Sequence, residues 1–224
     1  MNFIDLWKIY GDSDKKLQQG NWFIKTNRLT AKQISRDQLM AAMNGNYWAF
    51  YGLKAEFPYK GLYRKDKYRD NYTCIMSDTP MERNTCREFL DKAFGNVLIA
   101  GLGLGLIVFP ALTEERITKI TILEIDQDVI NLVKPFIQTH DERKIVEIIH
   151  ADVRTYTPTQ TYDSVWLDIW DDICLDNRQE AIELSRKYRK HMPRKKEERW
   201  ISYWAKDELN RLKREEYNQS TRFL

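Results

Sequence analysis

Histidine, cysteine and proline are scarce in this 224-residue chain, at 3, 3 and 6 copies. His140, His150 and His191 lack helical metal spacing and cysteine partners, so no metal site is expected. Cys74, Cys86 and Cys174 form no CxxC pair and no even set, which excludes a disulfide scaffold. Free, mostly buried thiols in a reducing compartment are the expectation. The opening residues Met1-Asn2-Phe3-Ile4-Asp5 lack a basic segment leading into an apolar one, so no signal peptide is read. The longest apolar run, Val97–Leu112, is too short for a bilayer span and contains glycines and a proline. A cytoplasmic protein without membrane contact is therefore expected. Net charge is only +3, which by itself points to no partner. No internal repeat or low-complexity block is found.

What is present is an ordinary globular composition, 42% hydrophobic and 31% charged, with 7 Trp and 12 Tyr. The length suits one domain, or one with a small appendage. Residues 31–43 read as a helix opened by a Thr30-x-x-Gln33 capping box and stopped by Asn44-Gly45. Residues 46–78 read as β-structure, with Tyr47–Tyr51 and Asn71–Met76 as candidate strands. Thr79-Pro80-Met81-Glu82 then suggests a second capping box and a helix running to Phe94. From Val97 the pattern changes. Val97–Ala100, Ile120–Leu123, Ile145–Ile149 and Tyr162–Leu167 are short apolar strands. Helical stretches separate them: one from about Leu104, shortened by Pro110, and one striped by Val129, Leu132, Val133, Phe136 and Ile137. Such alternation predicts a parallel sheet. After Asp168 the sequence turns helical, and Trp200–Trp204 is only a weak fifth strand. Three segments are expected: a small α+β region (1–78), a nucleotide-binding core (79–172) and C-terminal helices (173–224).

Chemistry-bearing residues fall at carboxyl ends of these strands, where open parallel sheets bind ligands. Gly101-Leu102-Gly103-Leu104-Gly105 is a GxGxG turn whose glycines allow close backbone approach, with free N–H groups expected on the helix that follows. A dinucleotide site would want glycine where Leu106 stands, which disfavours pyrophosphate. Glu124, about twenty residues on, is placed to accept ribose hydroxyls, leaving Asp126 as helix N-cap. Asp152 suits an exocyclic adenine amine, or is a plain loop acid. Asp168, Asp171 and Asp172 follow the fourth strand with Trp170 among them, which covers a ligand or packs under the C-terminal helices.

Together, Val97–Gly105, Leu123–Ile130, His150–Asp152 and Tyr162–Asp168 resemble the class I S-adenosylmethionine-dependent methyltransferase superfamily. Within it they are similar to the spermidine synthase-like (polyamine aminopropyltransferase) branch. The resemblance implies an α/β fold with a Rossmann-like parallel sheet, here C-terminally truncated because the last strands lack clear counterparts. It implies S-adenosylmethionine, or its decarboxylated form, as cofactor. Gly101, Gly103 and Gly105 would line the methionine moiety, Glu124 the ribose and Asp152 the adenine. Asp168 and Asp171 would be the catalytic acids, and Ser77–Leu90, with Glu82 and Glu88, would line the cleft.

Aminopropyltransferases carry an aspartate in the glycine loop where this chain has Leu104. The leading reading is therefore methyl transfer to a small polar or cationic acceptor. The alternatives are aminopropyl transfer and a non-catalytic nucleotide-binding or partner-binding module. No Asn-Pro-Pro-Tyr-like segment follows the fourth strand, which argues against amino-methylation of nucleic acid. The basic run Arg186–Arg199 reads as a solvated face, with a nucleic-acid contact through Tyr188 and Trp200 as the alternative. If the strand before Asp168 is a bare edge, the C-terminal helices should cap it and their remaining aromatics should support a homodimer.

Overall fold

The computed structural model describes residues 1–11, 16–43, 57–66 and 71–221. The expected helix stop at Asn44-Gly45 and the candidate strand Tyr47–Tyr51 lie outside the described residues. Two compact units emerge: Met1–Leu90 with Leu102–Glu114 and Asp126–Lys144, and Asp91–Gly101 with Glu115–Ile125 and Ile145–Leu224.

The first unit begins with α1 (Leu6–Tyr10), β1 (Leu17–Gln19) and β2 (Trp22–Leu29). It continues through α2 (Ala31–Met43), β3 (Phe57–Lys65), β4 (Tyr72–Ser77) and α3 (Pro80–Thr85). The strands form an antiparallel sheet in the order β1-β2-β3-β4. Pro58 is tolerated in β3 because β4 pairs only from Gly61 onward, so no second neighbour needs its missing N–H. The first capping box forms as read: Gln33 N–H donates to Thr30 Oγ1, and Thr30 N–H to Gln33 Oε1. The second does not. Thr79 makes no cap, its hydroxyl pairing instead with Ser77 Oγ at 2.9 Å. The expected helix to Phe94 also breaks at Cys86, giving α3 and α4 (Arg87–Lys92).

A buried carboxylate organises this unit. Asp78 accepts from the Leu6 N–H (3.1 Å), the Lys60 N–H (2.6 Å) and Arg83 Nη2 (3.2 Å). It thereby ties α1, β3 and α3 together. Burial pushes its carboxyl upward, and these donors, Lys60 first, oppose the rise. Two further helices, α5 (Val108–Leu112) and α6 (Gln127–His140), belong to the same unit. Helix α6 packs on β1 and β2. Asp126 caps it as expected, accepting from the Asp128 N–H at 2.9 Å and also from the Trp22 indole at 2.7 Å.

The second unit carries a parallel sheet of β5 (Gly95–Ala100), β6 (Ile117–Glu124), β7 (Val146–His150), β8 (Ser164–Leu167) and β9 (Trp200–Tyr203). Its order is β7-β6-β5-β8-β9. Counted within the sheet this is 3-2-1-4-5, the arrangement of Rossmann-like α/β folds. Val97–Ala100 and Val165–Leu167 are wholly buried, the reason these strands read as unbroken apolar runs. Helices α7 (Leu175–Arg189) and α8 (Lys206–Thr221) complete the unit. Ala181, Leu184, Tyr188 and Leu209 join Leu98, Ala100, Val165, Leu167 and Tyr203 in its core. The buried Ser164 hydroxyl is satisfied twice on Phe94, accepting from its N–H (2.9 Å) and donating to its carbonyl (2.8 Å).

The truncation expected after Asp168 is overturned in part. Strand β9 pairs in register with β8, so β8 is interior and needs no helical cap. Trp200 stacks on Trp166 at 6.0 Å, and Trp204 is buried. Among the described residues of α8, Tyr217 is left as an exposed aromatic at 67%.

Removing residues 199–224 strips β9 and α8 and turns Val165–Leu167 into a bare apolar edge. The truncated chain is expected to aggregate or melt well below the parent. A soluble truncated chain with an unchanged melting temperature would contradict the pairing.

Candidate functional site

The sheet order reverses between β5 and β8, and the two chains leave their strands side by side there. The Asp168 N–H donates to the Ala100 carbonyl and the Gly101 N–H to the Leu123 carbonyl, both at 2.8 Å. At this point Gly101 has φ +93°, and a Cβ placed on it would lie 1.8 Å from the Asp168 carbonyl oxygen. No other residue fits, so the first glycine of the turn is required by the approach of two backbones.

Asp168 follows directly. Its side chain keeps partial exposure yet is set deep among protein atoms. Burial pushes the carboxyl up to about 7, and the nearby Trp166 indole works against that rise. The other two acids behave differently. Asp171 and Asp172 are exposed, and Asp172 accepts from Asn177 Nδ2 through both its carbonyl and Oδ1, fixing the start of α7. Of these three acids only Asp168, directly after β8, is drawn in from the surface.

Glu124 closes β6 and is buried, opposite His150 in the register with β7, and its carbonyl accepts from the Ala151 N–H at 2.9 Å. Asp152 sits in the turn after β7. Its Oδ1 accepts from the Arg154 N–H at 2.8 Å, and its carbonyl accepts from Thr155 and Tyr156. The carboxylate thus has a local turn-forming role of its own.

Arg154 continues the connection. Its guanidinium donates to Glu180 on α7 through Nε at 2.6 Å and Nη2 at 3.3 Å, and the Trp170 indole donates to Glu180 Oε2 at 2.7 Å. The bidentate contact pushes Arg154 up and holds Glu180 down. Trp170 therefore packs against α7, the second of the two roles considered for it. One carboxylate anchors the loops that follow β7 and β8. Glu180 and Arg154 carried no sequence signal, since both look like ordinary surface charges.

Gly103 and Gly105 belong to the first unit, at φ +48° and +68°. Between them Leu104 is fully buried, with its N–H on Met76 Sδ (3.3 Å) and its carbonyl accepting from the Tyr10 hydroxyl (2.8 Å). The helix expected from Leu104 starts only at Val108, because Gly105 turns the chain first. The Leu104 N–H is accordingly not available to a ligand. Glu82 is buried, Glu88 is half-buried, and both belong to the first unit. Cys86 is buried, whereas Cys74 is exposed, contrary to the expectation of mostly buried thiols.

No family model matches the chain, and no curated protein does. Among solved structures it is similar to the DhpI–SAH complex, at 19% identity and a TM-score of 0.39, over 54% of each chain. It is also similar to the glycopeptide N-methyltransferase MtfA, at 19% and 0.40, over 50% of this chain and 49% of that one. A third is coclaurine N-methyltransferase bound to N-methylheliamine and SAH, at 20% and 0.37, over 51% and 32%. The alignments span about a third to a half of those proteins. The fold assignment here rests on the strand order itself.

Two substitutions test this geometry. Gly101→Ala is expected to cost more than about 2 kcal/mol in urea unfolding, because both φ and the Asp168 carbonyl forbid the methyl group. A cost under half that would mean the backbones are farther apart. Asp168→Asn reports the buried carboxyl. The folded state holds its proton to about 7 and the unfolded chain only to the ordinary 3.8, so wild-type stability falls as pH rises between those values. The Asn variant should match wild type near pH 4 and exceed it by about 1–3 kcal/mol at pH 8. Parallel stability curves would show an ordinary carboxylate.

Proposed function

We propose that the protein is an S-adenosylmethionine-dependent methyltransferase acting on a small polar or cationic acceptor. One observation carries the proposal: a partly buried carboxylic acid, Asp168, at the reversal point of a 3-2-1-4-5 parallel sheet, beside a glycine at which no side chain fits. The proposed donor site uses the second unit's own residues. Glu124 supplies a buried carboxylate at the end of β6, suited to two ribose hydroxyls. Asp152 keeps acceptor capacity on Oδ2 for an adenine amine while Oδ1 fixes its turn.

The donor supplies an electrophilic methyl group on a sulfonium. The protein's task is then to orient an acceptor nucleophile and remove its proton. An ordinary aspartate is too weak a base near neutrality, whereas a carboxyl raised to about 7 is well matched. Ionised Asp168 would accept the acceptor's proton; Asp171, exposed three residues on, would attract a cationic acceptor. Aminopropyl transfer is less well supported. The position where those enzymes grip the donor's amine is Leu104, fully buried and with both backbone groups engaged.

Calorimetric titration with S-adenosylmethionine, its decarboxylated form, S-adenosylhomocysteine and NAD tests the proposal. The adenosyl-sulfur ligands should bind and NAD should not. Glu124→Ala should weaken binding by about 1–3 kcal/mol, the usual loss for a charge-assisted hydrogen bond. Unchanged affinity in a folded Glu124→Ala protein removes the ribose assignment. Donor binding without transfer to a broad acceptor panel would favour a non-catalytic module.

A further inference from the structure

The first unit contains a second site that the proposed methyl transfer does not use. Phe23, Tyr63 and Tyr72, on β2, β3 and β4, form a three-ring cluster on one face of the antiparallel sheet. Phe23 stacks on Tyr63 at 5.2 Å, and Tyr72 meets both edge-on at 5.4 and 5.3 Å. An open groove of about 470 Å³ runs over this face, lined by Phe23 and Tyr72 with Lys16, Lys25 and Lys65. Lys16 Nζ lies 3.5 Å from the Phe23 ring centre, and Lys25 Nζ lies within 5 Å of both tyrosine rings. Asp66 is the single acid among the described lining residues.

We propose that this groove binds single-stranded nucleic acid, with the lysines on its phosphates and the Tyr72 ring under a base. Three ammonium groups gathered on one groove repel one another. Lys16 is pushed below its usual range, first by partial desolvation and then by Lys65 and Lys25. An anionic ligand relieves that repulsion. The aromatic floor selects among anions: Phe23 and Tyr63 are buried and fix the cluster, while Tyr72 is 49% exposed and offers its surface to solvent. Stacking on an exposed ring needs a flat partner, which a nucleobase supplies and an acidic peptide or bare phosphate does not.

Register favours a strand over a free nucleotide. Lys65 pairs with Tyr72, and Lys25 pairs with Gly61, four residues back along β3. Their backbone positions are thus roughly 13 Å apart, a spacing for separate phosphates. The groove is also open to solvent, so a chain can enter and leave it.

Fluorescence anisotropy of a short labelled oligothymidylate on the full-length protein tests the proposal. Saturable binding is expected, with a log–log salt slope of about −2 for three phosphate contacts to a single strand. The double variant Lys16→Ala/Lys65→Ala should weaken binding at least about tenfold and flatten that slope. Tyr72→Ala should weaken it several-fold. All three side chains are exposed, and an unchanged circular dichroism melt verifies folding. Thymidine monophosphate competing as well as the oligomer would overturn the strand in favour of a free nucleotide. Polyphosphate competing equally, with Tyr72→Ala silent, would reduce the groove to a polyanion contact and overturn the proposal. Absence of saturable binding at low salt would overturn it outright. Titration with S-adenosylhomocysteine should be unaffected by these variants, which separates this result from the fate of the donor site.

Discussion

Everything proposed for the second unit depends on one close approach, that of the Gly101 backbone to the Asp168 carbonyl. Because β5 and β8 are neighbours although far apart in sequence, their chains emerge together and must diverge over a few residues. A side chain at residue 101 would force them apart and unseat the Asp168 N–H from the Ala100 carbonyl. That hydrogen bond carries the register of β8 one residue past its last paired position, and so sets where the Asp168 carboxyl begins. The acid's depth therefore follows from a glycine just past the end of β5.

Asp78 and Asp168 show how the same side chain is set in two different surroundings. Asp78 is surrounded by two backbone N–H groups and a guanidinium, each answering a lone pair, and it joins three elements. Its burial is compensated, and what it delivers is structure. Asp168 is partly buried with the Trp166 indole as counterweight, and its proton is held to about 7. A carboxyl in that condition is costly to the fold and useful to proton transfer. Partner count, more than burial, separates the architectural Asp78 from Asp168, to which we assign proton transfer.

Sequence was most informative where a pattern had one structural meaning. The four apolar strands from Val97 to Leu167, the Thr30–Gln33 box and the Asp126 cap are each local, and each formed. Strand β9 was nearly missed because it is short, half-buried and preceded by a dense basic segment; its pairing with β8 spans 36 residues and leaves no local mark. Strand β2 was missed outright, since Trp22-Phe23-Ile24 is buried on both faces while the polar residues after it are not, and no alternation survives. The Thr79 box failed because a neighbouring hydroxyl, Ser77, competed for the capping oxygen. The partners of Leu104, Tyr10 and Met76, could not be read at all. They reach it across 94 and 28 residues and are ordinary core types.

Charge shows the same limit in sharper form. The run Arg186–Arg199 is the most conspicuous basic feature of the sequence, yet in three dimensions it disperses. Lys187 caps the Val153 and Arg154 carbonyls, Arg199 bonds the Pro193 carbonyl, Lys195 pairs with Glu198, and Tyr188 is buried with its hydroxyl on Val153. The run begins on the last turn of α7 and continues past its end at Arg189, and several of its members find backbone oxygens of their own. Lys16, Lys25 and Lys65 are inconspicuous in the sequence, but an antiparallel sheet brings distant residues to one face at short spacing. Concentrated positive charge comes from strand pairing here, and it arrives already set against aromatic rings. That coincidence of charge and flat surface is what makes the groove selective for one kind of anion.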